Sequence, residues 1–224
     1  PGLGYHIDEH RNLWLCCKSG FDQLTISPRN YTLLRQERAG QYEIPNTIRG
    51  LFIDSQKRLW CASKQGVIEL YDSSDRYIGN LSRSGKIVNN PQTAFGASAY
   101  TFFEDSLHRM WIGCKEDGLF IATPEKTGNY RIRRYRHNAK DPYSLSENSI
   151  YDICSDKQGR IWIGTYGGLY RYNGKEFIWI DEYDSIKSVN CMYLDEEGRL
   201  WIGTNDGGVS IMIDETIINV VSEK

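Results

Sequence analysis

The sequence predicts an all-β fold built from repeated four-stranded antiparallel sheets. Three observations carry this prediction. A segment of Asp, five intervening residues and Trp recurs five times without gaps. Short apolar stretches and Gly-containing turns flank each copy in the same order. No stretch shows the 3.6-residue apolar period of an amphipathic helix. The copies run Asp8 to Trp14, Asp54 to Trp60, Asp105 to Trp111, Asp156 to Trp162 and Asp195 to Trp201, with successive Trp residues 46, 51, 51 and 39 positions apart. The core of the unit is therefore fixed while its loops vary, and a mean spacing of about 47 residues falls in the period of β-propeller blades.

Each unit reads as four strands, a to d. Strand a is the short apolar stretch before the Asp, as in Gly50-Leu-Phe-Ile53 and Val189-Asn-Cys-Met-Tyr-Leu194. The polar residues after the Asp make a tight turn, in which the carboxylate bonds backbone N–H groups ahead of it and Gly159 or Gly198 takes a positive φ. Strand b carries the Trp, most clearly as Trp-Ile-Gly-Thr at 162–165 and 201–204. A second hairpin follows at Gly20, Gly66, Gly118, Gly168 and Gly208, where strand c begins. Strand d is less regular, at about Tyr31 to Gln36, Tyr77 to Ser82, Tyr130 to His137, Glu176 to Ile180 and Ile217 to Val221. One propeller domain over 1–224 results, with blades at about 1–37, 46–83, 97–137, 148–181 and 188–222. The five Trp residues are expected to be buried fillers between blades, and the five Asp residues turn-formers. Small residues two positions past each Trp (Cys16, Ala62, Gly113, Gly164, Gly203) are expected to leave room for a facing ring.

Composition narrows the function. The 224 residues hold 27 Lys plus Arg against 29 Asp plus Glu, a formal net charge of −2. Nucleic-acid partners need clustered basic charge and are not expected. No apolar run approaches the roughly 18 to 20 residues that cross a bilayer as a helix, so direct membrane insertion is not expected. The chain starts at Pro1 without Met and reads as a processed or excised piece whose targeting signal lies elsewhere.

The pattern of strand a, Asp, x-x-Gly-Arg-Ile/Leu-Trp-Ile-Gly-Thr and a following Gly-Gly resembles the two-component regulator propeller repeat of hybrid two-component sensors. It is clearest at Ile150 to Tyr172 and Val189 to Ile213, and Asp141-Pro-Tyr-Ser-Leu-Ser146-Glu-Asn148 looks like the linker that introduces such a repeat. Units one to three depart from it, with Cys16-Cys17, Cys61-Ala62-Ser63 and Gly113-Cys114 in place of Gly-Thr. The resemblance implies a periplasmic sensor module that reads a ligand for a transmembrane histidine kinase. It also implies partners in the rest of the parent sensor, further propeller and β-sandwich domains, and leaves room for a homodimer formed through that parent. Family propellers are usually seven-bladed. Five blades need about 234 residues and seven about 327, so a closed five-bladed disc and a piece of a larger ring both fit. The lack of a spare strand to join the first and last blades favours the larger ring.

Catalytic chemistry is not expected. The sequence holds no nucleophile elbow, metalloprotease His pair, phosphate loop or dinucleotide fingerprint, and neither a cofactor nor a metal is implied. His6, His10, His108 and His137 are scattered. The six Cys all fall in predicted strands a or b and read as buried free fillers. Arg131, Arg133, Arg134, Arg136 and His137 crowd an outermost strand, as edge protection or as a dock for acidic sugars. Asn30-Tyr-Thr32 and Asn80-Leu-Ser82 match the glycosylation pattern.

In a propeller the b-to-c turns and the segments leading into strand a share one face, and the uniform Asp turns occupy the other. The variable face carries Lys18, Lys64, Lys115, Tyr166 and Asn205 on its turns, and Asn46, Arg49, Tyr100, Asn148, Tyr151 and Asn190 on its strand approaches. Amides, ammonium groups and tyrosines bond hydroxyls, and a ring lies against the apolar face of a sugar. The expected ligand is an oligosaccharide, with Lys64, Lys115, Tyr166, Asn205, Asn148, Asn190 and Arg49 as the candidate contacts. A carbohydrate hydrolase or lyase on the same fold, or a propeller that only docks protein, are the alternatives.

Overall fold

The structure, a computed structural model, describes residues 5–7, 12–17, 20–25, 47–90, 92–180, 186–205 and 208–220. No helix occurs among them, and the strands form five successive antiparallel sheets, the blades of a propeller. In the first sheet β1 (Tyr5–Ile7), β2 (Asn12–Cys17) and β3 (Gly20–Thr25) lie in chain order, and the expected fourth strand near 31–36 is outside the described residues. The second holds β4 (Ile48–Ile53), β5 (Leu59–Ser63), β6 (Ile68–Tyr71), β7 (Tyr77–Leu81) and an additional β8 (Ile87–Val88), which the repeat pattern does not anticipate. The third runs β9 (Ala99–Glu104), β10 (Met110–Cys114), β11 (Gly118–Pro124), β12 (Tyr130–Tyr135). The fourth runs β13 (Ile150–Ser155), β14 (Ile161–Thr165), β15 (Gly168–Tyr172), β16 (Phe177–Trp179). The fifth runs β17 (Val189–Leu194), β18 (Leu200–Thr204), β19 (Gly208–Ile213), β20 (Thr216–Val220). Two compact units divide the chain, Pro1–Ala99 with Ala122–Ile132, and Tyr100–Ile121 with Arg133–Lys224.

The recurrent Asp explains the fixed offset to Trp. In the fourth blade Oδ1 of Asp156 accepts the backbone N–H groups of Gln158 and Arg160 at 3.0 and 2.9 Å, closing the turn. Oδ2 accepts the Trp162 indole N–H at 2.9 Å and the Arg160 guanidinium. That guanidinium lies over the same indole, 5.6 Å from its centroid. Asp54 with Arg58 and Trp60, and Asp105 with Arg109 and Trp111, repeat these contacts, and Asp195 bonds Arg199 and Trp201 in the same way. Six positions are what place the indole N–H, one strand-turn ahead, within reach of the carboxylate. The turn needs a left-handed residue at its fourth place. Gly159 and Gly198 provide it in two blades, whereas Lys57 and His108 adopt φ of 62° and 57° there despite their side chains.

The third, fourth and fifth blades each cover the Trp of the blade before. Trp60, Trp111 and Trp162 are fully buried. Tyr130 meets Trp60 edge-on at 5.4 Å, and Tyr172 meets Trp111 at 5.0 Å. Trp162 packs with Leu200, Ile202, Met212 and Ile217 of the fifth blade. Trp201 departs from the expected full burial and is partly exposed, because no following blade covers its row among the described residues. The Trp14 side chain lies outside the described residues. Gly113 and Gly164 face aliphatic groups rather than rings, and Gly203 faces the Cys191 sulfur. A Cβ on Gly113 would lie 2.7 Å from Ile150 Cγ2, and one on Gly164 would lie 2.5 Å from Val189 Cγ1.

Two further expectations change. Cys61 and Cys114 are buried, but Cys154 is half-buried and Cys191 is exposed, with its sulfur beside Gly203. Burial, followed by the nearby Asp152 and Asp156 charges, pushes the Cys154 thiol far above its ordinary range. The Asn80 glycosylation pattern is closed, since this side chain is fully buried, donates to the Thr93 carbonyl at 2.8 Å and accepts from the Tyr77 hydroxyl at 2.7 Å. Asn30 lies outside the described residues.

Candidate functional site

Antiparallel pairing gives every blade two chemically different ends. At one stand the Asp turns. At the other, backbone bonds tie the b-to-c turns of the second, fourth and fifth blades to the segments that lead into their strands a: Lys64 N–H to the Thr47 carbonyl at 2.7 Å, Tyr166 N–H to the Ser149 carbonyl at 3.2 Å and Asn205 N–H to the Ser188 carbonyl at 3.1 Å. Gly118 N–H also donates to the Asn148 carbonyl at 2.8 Å, so the third-blade turn is joined to the approach of the fourth. These bonds put the candidate residues at the end opposite the Asp turns.

In the first unit this end carries exposed Lys64 and half-buried Arg49. In the second it carries Lys115, Tyr166, Asn190 and Asn205, all exposed, and half-buried Asn148. Tyr100 and Tyr151, each second in its strand a, place their rings 6.1 Å apart. Two of the amides are engaged in holding loops. Asn148 Oδ1 accepts the His137 N–H at 2.9 Å, and Asn205 Nδ2 donates to Ser188 Oγ at 2.8 Å. The Lys115 ammonium stands 3.7 Å from the Glu116 carboxylate, and both are solvent-exposed. This leaves Lys115, Tyr166 and Asn190 presenting an ammonium, a phenol and an amide to solvent. Asn46 and Lys18 lie outside the described residues. Strand β12 forms the outer edge of its sheet, and there Arg134 is ion-paired with Asp117 while Arg133 lies over Tyr135 at 4.9 Å.

Sequence reasoning passed over Asp152 and Trp179. Asp152 occupies the place, four before the turn Asp, held by Gly50, Thr101 and Cys191 in other blades. Its carboxylate links three blades, accepting from Met192 N–H at 2.6 Å, Ile153 N–H at 2.9 Å and, at 3.4 Å, the Thr101 hydroxyl. Burial raises this carboxyl above its ordinary value against the lowering effect of those bonds. Only a comparison of that column across repeats would have shown it. Trp179 was visible by count alone, as the one Trp of six that stands outside the repeated position. Among the described residues no three His, Cys, Asp or Glu side chains converge in the manner of a metal site.

Comparison with known proteins places this geometry. Residues 144–167 and 185–206 match the two component regulator propeller family. Histidine kinase P4 of Formosa agariphila is 26% identical over 160 residues, an overlap of 69% of this chain and 11% of that protein. The extracellular domain of a proposed hybrid two component system from B. thetaiotaomicron superposes with a TM-score of 0.72 at 23% identity, over 98% of this chain and 30% of that one. An inactive variant of virginiamycin B lyase from Staphylococcus aureus, solved with quinupristin, superposes with a TM-score of 0.67 at 14% identity, over 99% of this chain and 70% of that one. The chain therefore spans a small part of the kinase and of the sensor domain it matches. The two structural likenesses establish the fold, and the family match establishes the repeat: the chain is a β-propeller carrying two component regulator propeller repeats at 144–167 and 185–206.

Proposed function

We propose that the chain is a ligand-reading propeller segment of a hybrid two-component sensor, placed in the periplasm. It recognises an oligosaccharide at the end opposite the Asp turns and passes the signal, through other domains of its parent, to a transmembrane histidine kinase. The observation that carries this reading is the coincidence of the matched repeats at 144–167 and 185–206 with the turn that presents Tyr166 and the strand start that presents Asn190. The likeness to a histidine kinase over 69% of the chain supports the signalling half. Exposed hydroxyl-bonding groups, and the neighbouring Tyr100 and Tyr151 rings at the start of their strands, support the oligosaccharide half. Catalysis has no role in this reading. The lyase likeness, at 14% identity, concerns the fold, and steady turnover of a glycoside or lactone by purified chain would contradict the reading.

Calorimetry of the chain against cellohexaose, xylohexaose and mannohexaose tests the proposal. Replacing Lys115, Tyr166 and Asn190 together by Ala is expected to weaken binding at least about tenfold. Glu196→Ala, at an exposed position in an Asp turn, is the control and is expected to leave binding within about twofold of the parent. Equal losses in both variants would mean that the wrong end has been assigned.

A further inference from the structure

Trp179 stands outside the Asp-bonded row of Trp residues. The Trp residues at 60, 111, 162 and 201 each donate their ring N–H to the turn Asp of their own blade at 2.7–2.9 Å. Trp179 has no hydrogen-bond partner among the described residues, and its side chain is 50% exposed. It ends β16, the outer strand of the fourth blade, paired with Tyr170. Strand direction puts it at the same end as the b-to-c turn, opposite Asp156. Its indole nitrogen lies 3.1 Å from where a Cβ on Gly168 would stand, so it sits against the turn formed by Gly167 and Gly168. A Cβ on Gly167 would meet Ser146 Oγ at 2.5 Å on the linker side. Tyr166, 58% exposed, precedes these glycines in the same turn. The Gly-Gly turn is thus wedged between the linker and Trp179, with an exposed phenol at its head.

Leaving half an indole in water forfeits part of the largest apolar burial available to any side chain, and its N–H has no acceptor among the described residues. An apolar ring face next to an unspent N–H is complementary to a pyranose, which offers an axial C–H face and hydroxyl acceptors at its rim. We infer that Trp179 is the stacking residue of a sugar subsite on the fourth blade, with exposed Tyr166 at the head of the neighbouring turn. This rests on the oligosaccharide reading above and extends it outward to a strand that reading did not include.

The test compares binding of cellohexaose, xylohexaose and mannohexaose by the parent chain, Trp179→Ala and Trp179→Phe, with the urea midpoint of each. Because Trp179 is half exposed and unbonded, both variants are expected to unfold close to the parent. Trp179→Ala is expected to weaken binding about tenfold, and Trp179→Phe, which keeps a ring face, to retain affinity within about threefold. In the parent, binding is expected to shift tryptophan emission, and Trp179→Ala should remove most of that shift. Parent-like binding by Trp179→Ala would overturn the subsite and leave the oligosaccharide reading standing. Failure of the parent to bind any of the three sugars would overturn both.

Discussion

Asp156→Ala is expected to lower the stability of the chain by about 3 kcal/mol, read as a fall in urea midpoint at unchanged slope. The carboxylate closes the turn through two backbone N–H groups and holds both the Arg160 guanidinium and the indole N–H of Trp162, which is fully buried. Removing it leaves that indole donor inside the blade interface without an acceptor, and frees the guanidinium from its place over the ring. Asp156→Asn keeps one acceptor oxygen but turns an N–H₂ toward a donor, so its effect should be smaller yet clear. The pH dependence follows. Burial alone would raise the Asp156 carboxyl, but the Trp162 and Arg160 hydrogen bonds more than offset it and hold it below the ordinary range. A carboxyl depressed on folding contributes stability that is complete above its unfolded value of about 3.9 and fades as the pH falls toward the folded one. The parent is expected to weaken below about pH 4, and Asp156→Ala to show a shallower loss over the same window.

Gly164→Val is expected to destabilise the chain by about 2 to 3 kcal/mol, because there is no space for a side chain where the fifth blade approaches the fourth. The first atom added would stand 2.5 Å from Cγ1 of Val189, itself fully buried, and Val189 has no open direction in which to retreat. Gly203→Val is the informative comparison. A Cβ there would meet Cys191 Sγ at 2.7 Å, and this thiol is exposed and free to rotate away. The expected effect at Gly203 is under about 1 kcal/mol. Equal losses at the two positions, measured by urea unfolding, would contradict the packing of each blade against the Trp row of the one before.

Much of this fold was legible because its determinants are local and repeated. The Asp, the residue before Leu or Ile, and the Trp six positions on are one hydrogen-bonded cassette, so their spacing survives wherever the cassette does. The additional strand Ile87–Val88 was not legible. It is held by a pairing particular to the second blade and by Asn129, whose side-chain oxygen accepts the Ile87 N–H at 3.1 Å across 42 residues of sequence. The exposure of Cys191 and of part of Trp201 was also hidden, since repetition says that a position is equivalent but not that a neighbour is there to cover it. For the candidate site, alternation of turns placed Lys64, Lys115, Tyr166 and Asn205 at the end opposite the Asp turns. It did not show that Asn148 and Asn205 spend their amides on their own loops, nor that Trp179 leaves its indole unspent.

On the proposed function, the two ends of the blades are divided between structure and recognition. Hydrogen exchange followed by mass spectrometry, with and without whichever hexasaccharide the chain binds most tightly, tests it most directly. The account predicts slowed exchange on binding at 164–168, 178–180 and 186–190, with the Asp turns at 157–159 and 196–198 unchanged. Slowing confined to those Asp turns, or spread evenly over both ends, would contradict it.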